Sequence, residues 1–181
     1  MSLGTDYLET AIRRLKYYKE LGDKTFVQLN EWDFHYQPND ESNSIATIIQ
    51  HMAGNMLSRW TNFLTEDGEK EWRKRDEEFE IHQYTKQELI ELWEKGWTCF
   101  LDTLSGLKKK DLKKKVSIRQ EALTVIDAIN RQLAHYPYHI GQIIFLAKII
   151  KNKNWQNLSI PKGNSQAYNQ SDEVKDPAKK Y

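Results

Sequence analysis

The sequence has little of what disulfide-bonded, cysteine-metal or membrane-spanning proteins require. It contains one cysteine in 181 residues, which excludes an intramolecular disulfide and a CxxC metal or redox site. A lone cysteine also suits a reducing compartment. No apolar run approaches the ~20 residues of a membrane span, and the segment MSLGTDYLET lacks the apolar stretch of a secretory signal. We therefore expect a cytoplasmic protein that neither spans nor binds a membrane.

Excess charge and turn-forming residues are scarce as well. Lysine and arginine total 27 against 26 acids, so the formal net charge is +1 and gives no bulk attraction to nucleic acid. Glycine (8) and proline (4) are few, whereas 6 Trp, 9 Tyr and 6 Phe are present. This balance favours long helices over a turn-rich β fold. We expect no nucleic-acid partner.

Apolar periodicity predicts four long helices. A Ser or Asn N-cap precedes the second helix, Thr85 and Glu88 form a capping box before the third, and Gly106 is placed to end that third helix. The connections at about 64–84 and 106–123 are long. The prediction is an all-α four-helix bundle with long crossover connections. Its helices span about residues 7–30, 45–63, 85–106 and 124–151.

Two segments are expected to contribute no regular structure. Residues 66–80 hold eight acids and four bases, a run that usually forms a solvated connection. The bundle is expected to occupy residues 1–160, followed by a polar C-terminal tail at 161–181 whose last ten residues are expected to be disordered.

Pro137 falls inside the fourth helix, where a missing N–H and a steric clash predict a kink.

Three histidines are the strongest candidates for a functional site. His135 and His139 stand at i and i+4 on the fourth helix, and His51 lies in the interior register of the second. Imidazoles buried together without a partner are costly, and a metal would satisfy them. Three neutral imidazoles suit Zn²⁺, Ni²⁺, Fe²⁺ or Mn²⁺ and leave a position open for water or substrate. The alternative is a set of core histidines paired only to side chains or water.

Neighbouring residues are candidates for supporting roles. Asn55 and Arg59 follow His51 by one and two turns and could hold a substrate carboxylate, or could only make inter-helix hydrogen bonds. Gln142 follows His139 by about one turn and could orient it, or hold a neighbouring helix. Cys99 has no nearby histidine in the sequence, which favours a buried structural thiol. No catalytic general base is evident.

The histidine pattern resembles a known superfamily. His51 together with the segment HYPYHIGQI, residues 135–143, is similar to the DinB-like superfamily of metal-dependent proteins, the DinB/YfiT-like fold. The resemblance covers roughly residues 5–170, including SIATIIQHMAGNMLSRWTNFLTEDGEKEWRKRDEEFE and LSIPKGNSQAYN, and points to an uncharacterised subfamily. It implies a four-helix bundle that binds a divalent metal through these three histidines.

The resemblance also implies a class of reaction. Characterised DinB-like members include thiol S-transferases that use bacillithiol or mycothiol, and a mycothiol-dependent isomerase. The leading hypothesis is therefore a metal-dependent enzyme that joins a low-molecular-weight thiol to a small electrophile. A metal-dependent hydrolase is one alternative, and a non-catalytic stress-response or binding bundle with a structural metal is another.

A homodimer is expected as well, because many DinB-like proteins are dimers. The sequence adds an excess of aromatic residues on the first and third helices, and aromatic side chains are enriched at interfaces. The residues in question are Tyr7, Tyr18, Trp93 and Trp97.

Overall fold

The computed structural model describes residues 2–181, which form a mostly helical chain with one small sheet. The α-helices are α1 (Leu3–Val27), α2 (Glu31–His35), α3 (Ile45–Trp60), α4 (Lys86–Gly106), α5 (Val125–Lys151) and α6 (Ser165–Gln170). The antiparallel strands are β1 (Lys115–Ile118) and β2 (Glu121–Thr124). Short 3₁₀ helices occupy Asp76–Phe79, Asp111–Lys113, Asn152–Asn154 and Pro177–Lys180. Within residues 2–181, no helix combines the length and apolar character needed to cross a membrane.

Side-chain caps set the starts of the long helices as the sequence predicts. The side chains of Ser44, Thr85 and Thr124 each accept a hydrogen bond from the backbone N–H three residues on. At α4 the carboxylate of Glu88 also accepts from the Thr85 N–H, which completes the capping box. Such caps satisfy N–H groups that have no partner inside a helix. The helices α3, α4 and α5 therefore begin where their sequences predict.

The four long helices pack around one apolar core. α3 contacts α4 and α5, and α1 contacts the same two helices, so each long helix has two long neighbours. The long connection after α3 thus joins two helices that lie side by side. The largest buried side chains are aromatic, and each contributes roughly 1.5–3 kcal/mol by its burial. They include Trp60, Trp93, Trp97, Phe100 and Tyr136.

The short helices α2 and α6 and the β1–β2 hairpin were not predicted from the sequence. α2 lies between the first two predicted long helices, and Asn30 and Asp33 form a capping box at its start. The β1–β2 hairpin lies in the connection between α4 and α5. Its two turn residues, Arg119 and Gln120, have φ of +56° and +66°. Left-handed backbone is uncommon for residues other than glycine, asparagine and aspartate, so the hairpin carries no familiar turn signature.

Asp67 holds this unusual turn against the connection that follows α3. Its carboxylate accepts hydrogen bonds from the backbone N–H of Arg119 at 2.9 Å and of Gln120 at 2.8 Å, and from the Ser117 hydroxyl at 2.6 Å. Burial opposes the charge, but these hydrogen bonds outweigh it and hold the pKa of Asp67 well below its usual range. The hairpin is therefore fixed to the loop that leaves α3.

The C-terminal tail packs against α1, in contrast to the expectation that its last ten residues are disordered. The Arg14 guanidinium forms a bidentate pair with the Asp176 carboxylate at 2.7 and 2.8 Å. Ala178 is fully buried, and the 3₁₀ helix that contains it contacts α1. The buried Ala178 side chain and the Arg14–Asp176 ion pair hold the segment on α1, and the polar composition of the tail gave no sign of either contact.

Candidate metal centre

The three predicted histidines meet between α3 and α5. Nε2 of His135 lies 3.0 Å from Nε2 of His139 and 3.5 Å from Nε2 of His51. One ligand atom from each residue lies within 4.8 Å of the others. Two imidazole nitrogens bound to one tetrahedral Zn²⁺ at about 2.0–2.1 Å would be about 3.3 Å apart. The three side chains could therefore hold a metal ion.

The other ring nitrogen of each histidine faces an oxygen. Nδ1 of His139 lies 2.8 Å from Oε1 of Gln142, and Nδ1 of His135 lies 3.3 Å from Oε1 of Gln132. Nδ1 of His51 lies 3.0 Å from Oε2 of Glu78. These oxygens accept hydrogen bonds, so the proton resides on Nδ1 and the lone pair on Nε2. Three lone pairs that face one another suit a shared cation, and the Nδ1 partners fix the ring orientations.

Burial keeps two of the ligand candidates neutral. Desolvation lowers the pKa of His135 to about 3, and the neighbouring His139 and His51 add to this effect. Desolvation also lowers the pKa of His139, although its hydrogen bond with Gln142 opposes the shift. Metal binding requires unprotonated imidazole. These rings are thus ready to bind an ion at neutral pH.

Glu78 is held between two partners. The Arg73 guanidinium donates to both carboxylate oxygens, from Nε to Oε1 at 2.7 Å and from Nη2 to Oε2 at 2.9 Å. Desolvation opposes ionisation of Glu78, yet the hydrogen bonds from Arg73 and His51 prevail and lower its pKa. Glu78 also lies directly over α3 at Gly54, where a Cβ atom would collide with its carboxylate. The close approach at Gly54 therefore lets Glu78 reach His51.

The segment 66–80 is accordingly more than a solvated connection, which corrects the sequence-based expectation. Lys70 and Arg73 are buried, and the side chain of Glu78 is only 10% exposed. The charges of Arg73 and Glu78 neutralise each other beside the histidines. Composition alone could not reveal this, because a run of mixed charges has the same pattern whether it is solvated or paired internally.

A cavity of about 220 Å³ opens beside His51 and His135. Asn55 and Arg59, for which the sequence left open a substrate-binding role or inter-helix hydrogen bonds, both line it. Each already has a partner within the chain. The Asn55 side-chain oxygen accepts from the Tyr136 hydroxyl at 3.1 Å, and Arg59 donates to Glu69 at 2.8 Å and to the Gly68 carbonyl.

Cys99 lies apart from the histidine cluster. Its sulfur is 3.7 Å from the Thr61 hydroxyl, and it is half-buried beside the core. Among residues 2–181, the histidine cluster contains no fourth His, Cys, Asp or Glu ligand. A closed structural site usually has four protein ligands. The arrangement resembles a site with an open position.

The remaining histidines and the SIPKGNS segment lie elsewhere. Nε2 of His35 is 2.7 Å from the Tyr84 carbonyl, and Nε2 of His82 is 3.2 Å from the Glu77 carbonyl. Residues 158–161 line a separate cavity against α1, together with Tyr17 and Lys24. This segment therefore packs against α1.

Glu78, Gln132 and Arg73 were missed from the sequence. Gln132 had a detectable signal, since it precedes His135 by three residues just as Gln142 follows His139 by three. Glu78 had none, because it reaches His51 from a loop 27 residues away.

Comparison with known protein families gives a match over most of the chain. A family described as "Protein of unknown function (DUF1572)" matches residues 2–164. No curated protein and no solved structure matches the chain. The matched range includes the three histidines, their Nδ1 partners and all residues that line the adjoining cavity.

Proposed function

We propose a function for this chain, which belongs to the DUF1572 family of proteins of unknown function. The proposed function is that of a divalent-metal-dependent enzyme. His51, His135 and His139 would hold Zn²⁺, Ni²⁺, Fe²⁺ or Mn²⁺. The observation that carries the proposal is the convergence of three Nε2 atoms whose Nδ1 atoms are all paired with oxygens. We further propose that the four long helices form a four-helix bundle of the DinB-like superfamily.

The reaction we propose is attack of a low-molecular-weight thiol on a small electrophile: the thiol gives its proton to solvent, its sulfur forms a C–S bond, and the leaving group of the electrophile departs with the electron pair of the broken bond. A bound divalent ion supplies positive charge that favours a thiolate near neutral pH. The chain supplies a small cavity next to the ligands, the Asn55 side chain fixed by the Tyr136 hydroxyl, and nearby guanidinium groups. Gln132, Gln142 and Glu78 hold the histidine rings in place. Substrate would enter from the cavity side.

One observation favours a thiol over water as the nucleophile. Among the described residues that line the cavity, none is a carboxylate, and its two histidines belong to the cluster. A hydrolase generally needs a base to take the proton of water, whereas a thiol ionises more readily. A metal-dependent hydrolase remains the alternative reaction. A non-catalytic stress-response or binding bundle with a structural metal is the alternative from another class, and the position of Cys99 speaks against it.

Activity assays test this proposal. The reaction rate of a chromogenic electrophile with bacillithiol, or with another cellular thiol, is measured in the presence of metal-free, metal-loaded or His139→Ala protein. A Cys99→Ser variant serves as control, because that thiol lies outside the cluster. We expect acceleration by metal-loaded wild type and Cys99→Ser only. Rates at or below the metal-free value for every thiol reject the transferase, and ester and amide substrates then test hydrolysis.

We also propose that the protein is a cytoplasmic homodimer, but through a different surface from the one the sequence suggested. Trp93 and Trp97 are buried in the core of the chain and cannot form an interface. Tyr138, Phe145 and Ile149 instead expose 61%, 66% and 46% of their surface on α5. Their spacing of seven and four residues places them on one helix face. Such an exposed apolar strip suits contact with a second copy.

A further inference from the structure

Guanidinium groups dominate the cavity beside the histidines. Five arginines line it, and they come from α3, the connection after α3, the hairpin turn and α5. They are Arg59, Arg73, Arg75, Arg119 and Arg131. The other lining residues are His51, Asn55, Gln132 and His135, so the described lining holds no acid. Four separate parts of the chain thus place positive charge around one small space.

Nearby carboxylates neutralise only part of this charge. Glu69 lies 2.8 Å from Arg59, 3.1 Å from Arg119 and 3.7 Å from Arg73. Glu78 pairs with Arg73, and the fully exposed Asp76 lies 3.7 Å from Arg75. Within residues 2–181, Arg131 forms no ion pair. Counted by ion pairs, three carboxylates therefore face five guanidinium groups, and Arg131 adds a positive charge that no ion pair offsets.

One buried N–H has no acceptor. The Arg73 side chain is 2% exposed, and its Nη1 atom makes no hydrogen bond within the described chain. A buried donor without an acceptor is unfavourable and rare in folded proteins. Arg73 lines the cavity, so an acceptor there would satisfy it. The Oε2 atom of Glu69 lies 3.7 Å from this Nη1 atom, which is too far for a hydrogen bond, so the atom suits the same kind of ligand.

We propose that this cavity binds an oxyanion group of the substrate, a carboxylate or a phosphate, next to the metal site. The planar guanidinium fork matches both groups. Arg73 has a buried Nη1 atom without an acceptor, Arg131 has no ion-pair partner among residues 2–181, and Asn55 adds a neutral polar group. The inference rests on the proposed function, because the metal site would activate the reacting group of the substrate. The arginines would hold the carboxylate or phosphate of the same molecule. The substrate class is therefore a small anionic molecule.

Calorimetric titration at constant ionic strength tests the inference with inorganic phosphate and succinate, and with neutral succinamide for comparison. Metal-free protein is titrated first, because phosphate can also bind a metal, and metal-loaded protein second. Arg131→Gln removes the free guanidinium without disturbing the core. Arg14→Gln is the matched control, because it removes the same charge at an exposed position of α1 outside the cavity, where Arg14 pairs with Asp176. Arg75→Gln provides a second cavity variant.

We expect wild type and Arg14→Gln to bind phosphate or succinate and to ignore succinamide. Arg131→Gln and Arg75→Gln should each weaken binding by roughly tenfold, as loss of a charge-assisted hydrogen bond does. The preferred anion then identifies the group. Absence of anion binding by wild type, or equal weakening in Arg14→Gln, overturns the inference. Metal content is measured separately, so anion binding without metal binding overturns only the proposed function, and the reverse overturns only this inference.

Discussion

Nδ1 of His51 lies 3.0 Å from Oε2 of Glu78, and this pair joins helix α3 to a charged loop. Arg73 fixes the same carboxylate from its other side. The loop therefore positions a candidate metal ligand, although its composition suggests only a solvated connection. The contact also explains why Gly54 lies beneath the carboxylate, where any larger residue would push it away.

Removing the Glu78 carboxylate should weaken metal binding. Glu78→Ala leaves the His51 ring without its Nδ1 partner, and loss of such partners typically costs about 10–100-fold in metal affinity. Competition with a chromogenic chelator measures the change. Glu77→Ala is the control, because Glu77 is exposed and pairs only with Lys74. Equal affinity in Glu78→Ala and wild type would show that this carboxylate does not orient the ligand.

A methyl group at position 54 should affect the site more than the fold. In Gly54→Ala the new Cβ displaces Glu78 rather than backbone, so we expect metal affinity to fall by about tenfold or more. Gly141→Ala is a matched helical control, because a Cβ there meets nothing within 4 Å. It should stabilise the protein by roughly 0.5–1 kcal/mol and leave metal affinity unchanged. Chelator competition and urea unfolding provide both readouts, and identical behaviour of the two variants would contradict the contact.

Asp67 should make stability depend on pH in the acid range. Its pKa is lowered in the folded state, so the folded chain binds fewer protons than the unfolded chain as pH falls. The stabilisation is therefore present above the usual value of 3.8 and is lost as pH falls toward the lower folded pKa. Asp67→Asn should lower the Tm at pH 7, and the gap from wild type should narrow below about pH 4. Thermal scans across pH measure this, with exposed Asp102→Asn as control. A gap that stayed constant with pH would contradict the account.

Charge on the exposed face of α5 should dissociate the proposed dimer. Phe145 is 66% exposed, so Phe145→Glu adds no buried charge to the monomer but would bury one at an α5 interface. Light scattering should give twice the chain mass of 21.5 kDa for wild type and the chain mass for the variant. Lys95→Glu, at an exposed position of α4, controls for added negative charge away from the α5 face. A wild-type mass of 21.5 kDa at micromolar concentrations would rule out the dimer.

Local sequence signals predicted much of the helical structure. The caps at Ser44, Thr85 and Thr124 fix helix starts through contacts over three residues, which a sequence displays directly. The i, i+4 spacing of His135 and His139 similarly dictates that their rings face the same way. The position of His51 followed from its place on the apolar face of its helix, which was expected to face the core. The convergence of the three histidines could therefore be predicted from the sequence.

Features that depend on distant contacts escaped prediction. The turn at Arg119 and Gln120 has no glycine or asparagine, and it is stabilised by Asp67, about 50 residues earlier. Trp93 was expected at an interface because the first and third helices carry an excess of aromatic residues, but the sequence does not show which helix covers each side chain. In the structure its indole N–H donates to Asp23 on α1, and its ring packs in the core. The arginine-lined cavity likewise arises from four separated segments.

The number of metal ions held by each chain tests the central claim most directly. Elemental analysis of purified wild-type protein, loaded with divalent metal and freed of excess, should give about one ion per chain. The His135→Ala, His139→Ala double variant should give almost none while keeping the helical circular dichroism of wild type, because both side chains are only partly buried. Full metal occupancy in the folded double variant would contradict the assignment of the site to His51, His135 and His139.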